Sequence, residues 1–138
     1  MFNKSLILCK HRINLKTYIL HKEIEAGICF NANDAKSTRC GKTHLNGSYI
    51  KIENLIAYIY NVTINSEDKK IMLLLHKKEI IQIYNKLKEN YVAIPMYFYK
   101  KDNLIKCHIN IMKYDRSLGK DIRKLKNEKI YKSEKNLF

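Results

Sequence analysis

From position 18 to position 30 nearly every second residue is apolar. Tyr18, Leu20, Ile24, Ala26, Ile28 and Phe30 alternate with residues that include His21, Glu23 and Glu25, and Lys22 is the one interruption. A period of two belongs to a strand buried on one face only. The pattern returns far along the chain, where Ile105, Cys107, Ile109 and Ile111 oppose Lys106, His108 and Asn110. Between these two stretches, residues 49–53 and 55–64 read as strands, the second apolar on both faces and therefore central. Residues 92–99 and 104–112 flank a turn at Lys101-Asp102-Asn103. Asn65-Ser66-Glu67-Asp68 reads as a tight polar connection.

Two helices are expected between the strands. Asn33 can cap the first through its side-chain oxygen, Asp34 suits the positive end of its dipole, and Gly41 ends it after two turns at most. The second covers residues 76–90, with Ile80, Ile81, Tyr84 and Leu87 at helical spacing. Residues 1–16 form a basic lead-in without a clear period. The fold expected is mainly β (α+β): a small OB-like antiparallel β-barrel with two or three short helices and a basic C-terminal tail.

Charge narrows the partners. The chain of 138 residues carries 27 Lys and Arg against 13 Asp and Glu, a formal +14, which favours nucleic acid or an anionic surface. No apolar run approaches the roughly 20 residues that span a bilayer. Lys10, His11 and Arg12 follow the short apolar patch near the start, where a secretory signal would place small residues. Cys9, Cys29, Cys40 and Cys107 have no C-x-x-C spacing, which reads as reduced cytosolic thiols, and the five histidines lack ligand spacing. We expect no metal and no cofactor. Gly41-Lys42-Thr43 resembles the end of a phosphate loop, but the earlier glycine position is Lys36. No nucleophile or carboxylate pair sits in a catalytic motif, so no enzyme is expected.

Past Met112 basic residues dominate, with Lys113, Arg116, Lys120, Arg123, Lys124, Lys126, Lys129 and Lys132 among few acids and sparse apolar residues. Such a segment should be disordered alone and fold against a polyanion. Residues 1–112 are thus expected to form an RNA-binding barrel and residues 113–138 a tail. Ten tyrosines supply stacking faces for unpaired bases, although most are expected in the core or on the barrel surface.

Several motifs resemble the small protein B family, the SsrA-binding proteins. Ile24-Glu25-Ala26-Gly27-Ile28 is similar to the family's F-E-A-G-I, and Asp34-Ala35-Lys36-Ser37-Thr38-Arg39-Cys40-Gly41 to its E-V-K-S-L-R-A-G. Leu73-Leu74-Leu75-His76-Lys77-Lys78-Glu79 is similar to L-L-L-H-K-R-E, and Pro95-Met96-Tyr97-Phe98-Tyr99 to P-L-K-L-Y. In the tail, Asp121-Ile122-Arg123 stands where the family has D-K-R, and Tyr131 replaces a tryptophan. Departures occur at Tyr114-Asp115-Arg116 or Gly119-Lys120, in place of a glycine-lysine-lysine. Lys120 replaces a histidine, His11 an asparagine, and Leu15-Lys16 an arginine-histidine pair.

The resemblance implies a cytoplasmic, monomeric, non-enzymatic adaptor of trans-translation. It would bind the tRNA-like domain of transfer-messenger RNA and reach the decoding centre and messenger channel of the small ribosomal subunit. Glu25 would grip the RNA elbow, accepting from base amines or 2′-hydroxyls. Lys36 and Arg39, three apart on one helix face, would meet phosphates. Leu74 would contribute to RNA binding, with a plain core leucine as the alternative. His11, Lys16, Tyr18 and Asp34 complete the expected RNA face. Lys113, Arg116, Lys120, Asp121, Arg123, Lys124, Lys126, Lys129, Tyr131 and Lys132 would form the ribosome-binding tail, helical on the ribosome. A ribosomal protein, a generic OB-like RNA binder and an RNase are the rival readings.

Overall fold

The computed structural model describes residues 6–115. The tail residues Arg116, Lys120, Asp121, Arg123, Lys124, Lys126, Lys129, Tyr131 and Lys132, with their expected helix, lie outside the described residues. Among the described residues, eight strands and two helices follow in the order β1 (Leu6–Lys10), β2 (Tyr18–Ile28), α1 (Ala32–Arg39), β3 (Thr43–His44), β4 (Tyr49–Glu53), β5 (Ile56–Ile64), β6 (Glu67–Leu74), α2 (Lys77–Lys88), β7 (Val92–Lys101) and β8 (Leu104–Tyr114). A single 3-10 turn, Leu15–Thr17, leads into β2.

The strands pair antiparallel in the order β1-β7-β8-β2-β6-β5-β3, with β4 also on β5. β4 packs back toward β7, so the sheet curls into a nearly closed barrel. Register shifts between Leu20 and Lys22 of β2, Ile59 and Val62 of β5, and Pro95 and Tyr97 of β7 mark bulges. Each bulge bends its strand and increases the local twist, which is what closure demands. The β5–β6 hairpin turns on Asn65 and Ser66, both at positive φ (53° and 65°), the type I′ arrangement that matches strand twist.

Alternation fills the interior. Ile24 and Ala26 of β2, Ile59, Val62 and Ile64 of β5, and Ile71 and Leu73 of β6 all point inward. Phe98 of β7 and Cys107, Ile109 and Ile111 of β8 meet them. Each of the Ile, Leu, Val and Phe side chains among them stabilises by roughly 1.5–3 kcal/mol. Ile83 of α2 joins the same core, as α2 packs against β4 and β7. A second, smaller cluster of Ile94, Met96 and Met112 forms apart from the main core, covered by Ile13 and Tyr18.

Several expectations need correction. The lead-in contains a strand, β1, that pairs with β7; its five residues are too few to display a period. Asn31, not Asn33, caps α1, its side chain accepting from the Asp34 amide at 2.7 Å. The chain is extended at Asn31 (φ −78°, ψ 168°), the conformation a capping residue needs, whereas Asn33 is already helical. Gly41, at φ +77°, does end the helix: the amides of Gly41 and Lys42 donate to the carbonyls of Thr38 and Ser37 at 3.2 and 2.9 Å. β5 is central but not apolar on both faces, because Tyr58 and Tyr60 look outward. Glu67 and Asp68 begin β6 rather than a loop. On α2 the buried residues are Ile80 and Ile83, while Ile81 and Tyr84 are exposed. Lys113, placed by composition in the tail, lies on β8.

Candidate nucleic-acid interface

β2 lies between β8 and β6, and its alternation turns Glu23, Glu25 and Gly27 to the outside of the barrel. Cross-strand register places His108 beside Glu25 and Lys106 beside Gly27. On β7, Tyr97 pairs with His108 and Tyr99 with Lys106. The result is one continuous outward patch across three strands.

Glu25 is its centre. Lys106 Nζ donates to Oε1 at 2.8 Å, the Tyr99 hydroxyl donates to Oε2, and Lys101 Nζ stands 3.9 Å from that same oxygen. These donors, Lys106 first and Tyr99 second, hold the Glu25 carboxyl below the usual carboxylate range. Burial, followed by the facing carboxylate, pushes the Tyr99 phenol well up. Glu25 is therefore an oriented anion whose side chain is still 41% exposed. Its two oxygens offer about four lone-pair positions, so room remains to accept from a ribose hydroxyl or a base amine. Beside it, Tyr97 stacks on His108 with ring centroids 4.7 Å apart and planes 2° from parallel, and His108 Nε2 approaches Glu23 at 3.3 Å.

Leu74 borders the same patch. It pairs with Gly27 across β2 and β6 and is 55% exposed, so it is not a core leucine; Leu73 fills that role. Gly27 makes the space: a Cβ there would stand 3.2 Å from Leu74 Cβ. The structure thus brings Glu25 and Leu74 together and adds Tyr99, Lys106, Tyr97 and His108, which sequence reasoning missed. The outward half of the 104–112 alternation was the only signal that could have found Lys106 and His108.

Lys36 and Arg39 lie exposed on α1, which follows β2 directly. Asp34, in contrast, is 7% exposed and bound to Lys69 Nζ at 2.7 Å, raising the Lys69 pKa. Its carboxylate is turned inward, where it ties α1 to β6, so it is not presented to a ligand. Thr43 is buried too, its hydroxyl 2.8 Å from that of Thr38. Gly41-Lys42-Thr43 is consequently a helix stop and not a phosphate cradle.

The remaining candidates are divided. His11 Nδ1 accepts from the Ile13 amide and Nε2 donates to the Ser48 carbonyl, both at 3.1 Å. That pair of bonds requires the neutral ring with its proton on Nε2, and burial lowers its pKa. His11 therefore clips the lead-in to the loop before β4 rather than facing outward. Tyr18 is half-buried, edge-on to Tyr114 at 5.5 Å. Lys16 is exposed on the 3-10 turn, whose start Asn14 caps. Among the described residues no cluster of His, Cys, Asp or Glu could hold a metal.

The family model described as SmpB protein matches residues 8–137. The SsrA-binding protein of Lachnoclostridium phytofermentans is 31% identical over 132 residues, covering 83% of this chain and 86% of that one. The SsrA-binding protein of Aquifex aeolicus is 37% identical over 115 residues, covering 72% and 73%. That of Geotalea uraniireducens is 30% identical over 118 residues, covering 78% of each chain. A solved structure described as "tmRNA-SmpB: a journey to the center of the bacterial ribosome" superposes with a TM-score of 0.59 at 23% identity, over 75% of this chain and 81% of that one. It shares the fold. With a match running through nearly all of its length, this chain belongs to the SmpB family.

Proposed function

We propose that the protein is a non-enzymatic RNA-binding adaptor of trans-translation, working in the cytoplasm. It binds the tRNA-like domain of transfer-messenger RNA and delivers it to stalled ribosomes. Family membership and the names of the relatives, SsrA-binding proteins, support this reading.

The observation that carries the residue assignment is Glu25: an ionised, oriented and still accessible carboxylate in the middle of a basic and aromatic surface. A carboxylate there repels phosphates, so its use is to select hydroxyl and amino groups that lysines cannot read. Leu74 adds an apolar contact beside it. Lys36 and Arg39 supply sequence-independent attraction to the backbone. The basic segment from Arg116 onward enters the empty decoding centre and messenger channel.

Truncation tests the division of labour. A chain ending after Asp115, beyond the end of β8, is expected to keep its affinity for the isolated tRNA-like domain and to lose tagging on stalled ribosomes. Loss of RNA binding with tagging intact would overturn the assignment.

A further inference from the structure

On a chain of net charge +14, the outer face of β4, β5 and β6 is aromatic. Tyr49 and Lys51 of β4, Tyr58 and Tyr60 of β5, and Lys70 and Met72 of β6 share it, while Ile50, Ala57, Ile59 and Ile71 beside them are buried. Register sets Tyr49 opposite Tyr60, and Tyr58 opposite both Lys51 and Met72. The Tyr49 and Tyr60 rings stack with centroids 5.6 Å apart and planes 10° from parallel. Lys70 Nζ lies 4.2 Å from the Tyr58 centroid and 5.2 Å from that of Tyr60, with Lys51 Nζ 5.7 Å from the latter. Lys70 is also tied to Glu53 at 3.1 Å, so its charge is already met. Tyr49 ends the stack: among the described residues its ring partner is Tyr60, and it is 41% exposed. A ring in that position accepts a further aromatic plane.

We propose that this face is a base-stacking platform, which takes unpaired bases of the RNA held at Glu25. The proposal deepens the adaptor reading and rests on it. Continuity with the Glu25 patch points to RNA. Met72 and Leu74 carry the outer surface from Tyr58 on β5 to Gly27 on β2. An RNA seated on the carboxylate thus meets the tyrosine strands two strand spacings away, about 10 Å. Charge then separates bases from backbone. Phosphates would find Lys70 already paired, whereas bases find rings and need no charge to stack on them. Outward aromatics on an antiparallel sheet suit two or three splayed bases.

The experiment compares the full chain with Tyr49→Leu and Tyr58→Leu combined, which keeps apolar bulk and removes the rings. The Tyr49→Phe, Tyr58→Phe pair keeps the rings and removes only the hydroxyls. Affinities for the isolated tRNA-like domain and for a short unstructured oligoadenylate are measured separately across a salt series. On both RNAs the leucine pair is expected to lose about fivefold or more, the lower end of the range for one stacked base. The phenylalanine pair should stay within about twofold of the parent. The log–log salt slope should not change, because no phosphate contact is removed. Should the leucine pair fail to fold, Tyr49→Leu alone, at the most exposed of the three rings, must show the loss. Unchanged affinity for the tRNA-like domain would overturn the proposal, as would a loss that flattens the slope or that the phenylalanine pair shares. Unchanged RNA affinity with weaker tagging on stalled ribosomes would give the face to a protein partner and overturn it too. If the parent ignores the tRNA-like domain while the oligoadenylate loss persists, the adaptor reading falls and the platform stands as a single-strand site.

Discussion

Tyr99 on β7 donates its hydroxyl proton to Glu25 on β2 across the intervening strand β8, so a tyrosine two strands away sets the direction of the carboxylate. Removing the hydroxyl with Tyr99→Phe leaves Lys106 as the main holder of Glu25. Affinity for the tRNA-like domain should fall several-fold, the worth of about 1 kcal/mol for one hydrogen bond, and Glu25→Gln should lose more. Filter binding reads both, and a Tyr99→Phe variant indistinguishable from the parent would remove Tyr99 from the site.

Leu73 and Leu74 are adjacent and should respond in opposite ways. Leu73→Ala hollows the core and is expected to cost about 2–5 kcal/mol of stability. Leu74→Ser alters an exposed residue, so stability should change by no more than about 0.5 kcal/mol while RNA affinity drops. Urea unfolding beside RNA titration separates the two; a large destabilisation by Leu74→Ser would contradict its outward placement.

The cap of α1 gives a second paired comparison. Asn31→Ala removes the acceptor for the Asp34 amide and should destabilise by about 1 kcal/mol. Asn33→Ala, inside the helix and exposed, should be neutral or slightly stabilising because alanine is the better helix former. Equal effects in thermal unfolding would refute the cap assignment.

His11 predicts a pH dependence. Folding lowers its pKa from the ordinary 6.5, so the unfolded chain takes up a proton there that the native chain refuses. The contribution of His11 is complete above about pH 7 and is lost as pH falls from 6.5 toward the folded value. The parent should therefore lose stability relative to His11→Gln between about pH 7.5 and 5.5. Parallel stability curves for the two proteins across that window would rule out the neutral clip.

What the sequence showed and hid follows from how local each signal was. The β8 alternation from Ile105 to Ile111 was legible because inward residues are all apolar and a turn precedes them. β6 was not, since Glu67, Asp68, Lys69 and Lys70 open it with four charged residues. The run Leu73-Leu74-Leu75 has no period, so only the pairing with Gly27 reveals which leucine faces out. Two asparagines two positions apart, Asn31 and Asn33, are equally good caps on paper, and the backbone dihedrals decide between them. Lys106 and Tyr99 reach Glu25 from 81 and 74 residues away, and no local pattern carries such a meeting. Asp34 could be read as an acid at a helix start but not as the partner of Lys69, for the same reason.

The pairing of Leu6 and Lys10 with Lys100 and Tyr97 bears on how the molecule is made. During synthesis β1 leaves the exit tunnel long before its neighbour exists, and its unpaired edge must wait for β7. Any nascent copy halted ahead of that strand is left open-sided and sticky. A factor that answers to arrested translation thus depends for its own completion on an uninterrupted run through Lys101.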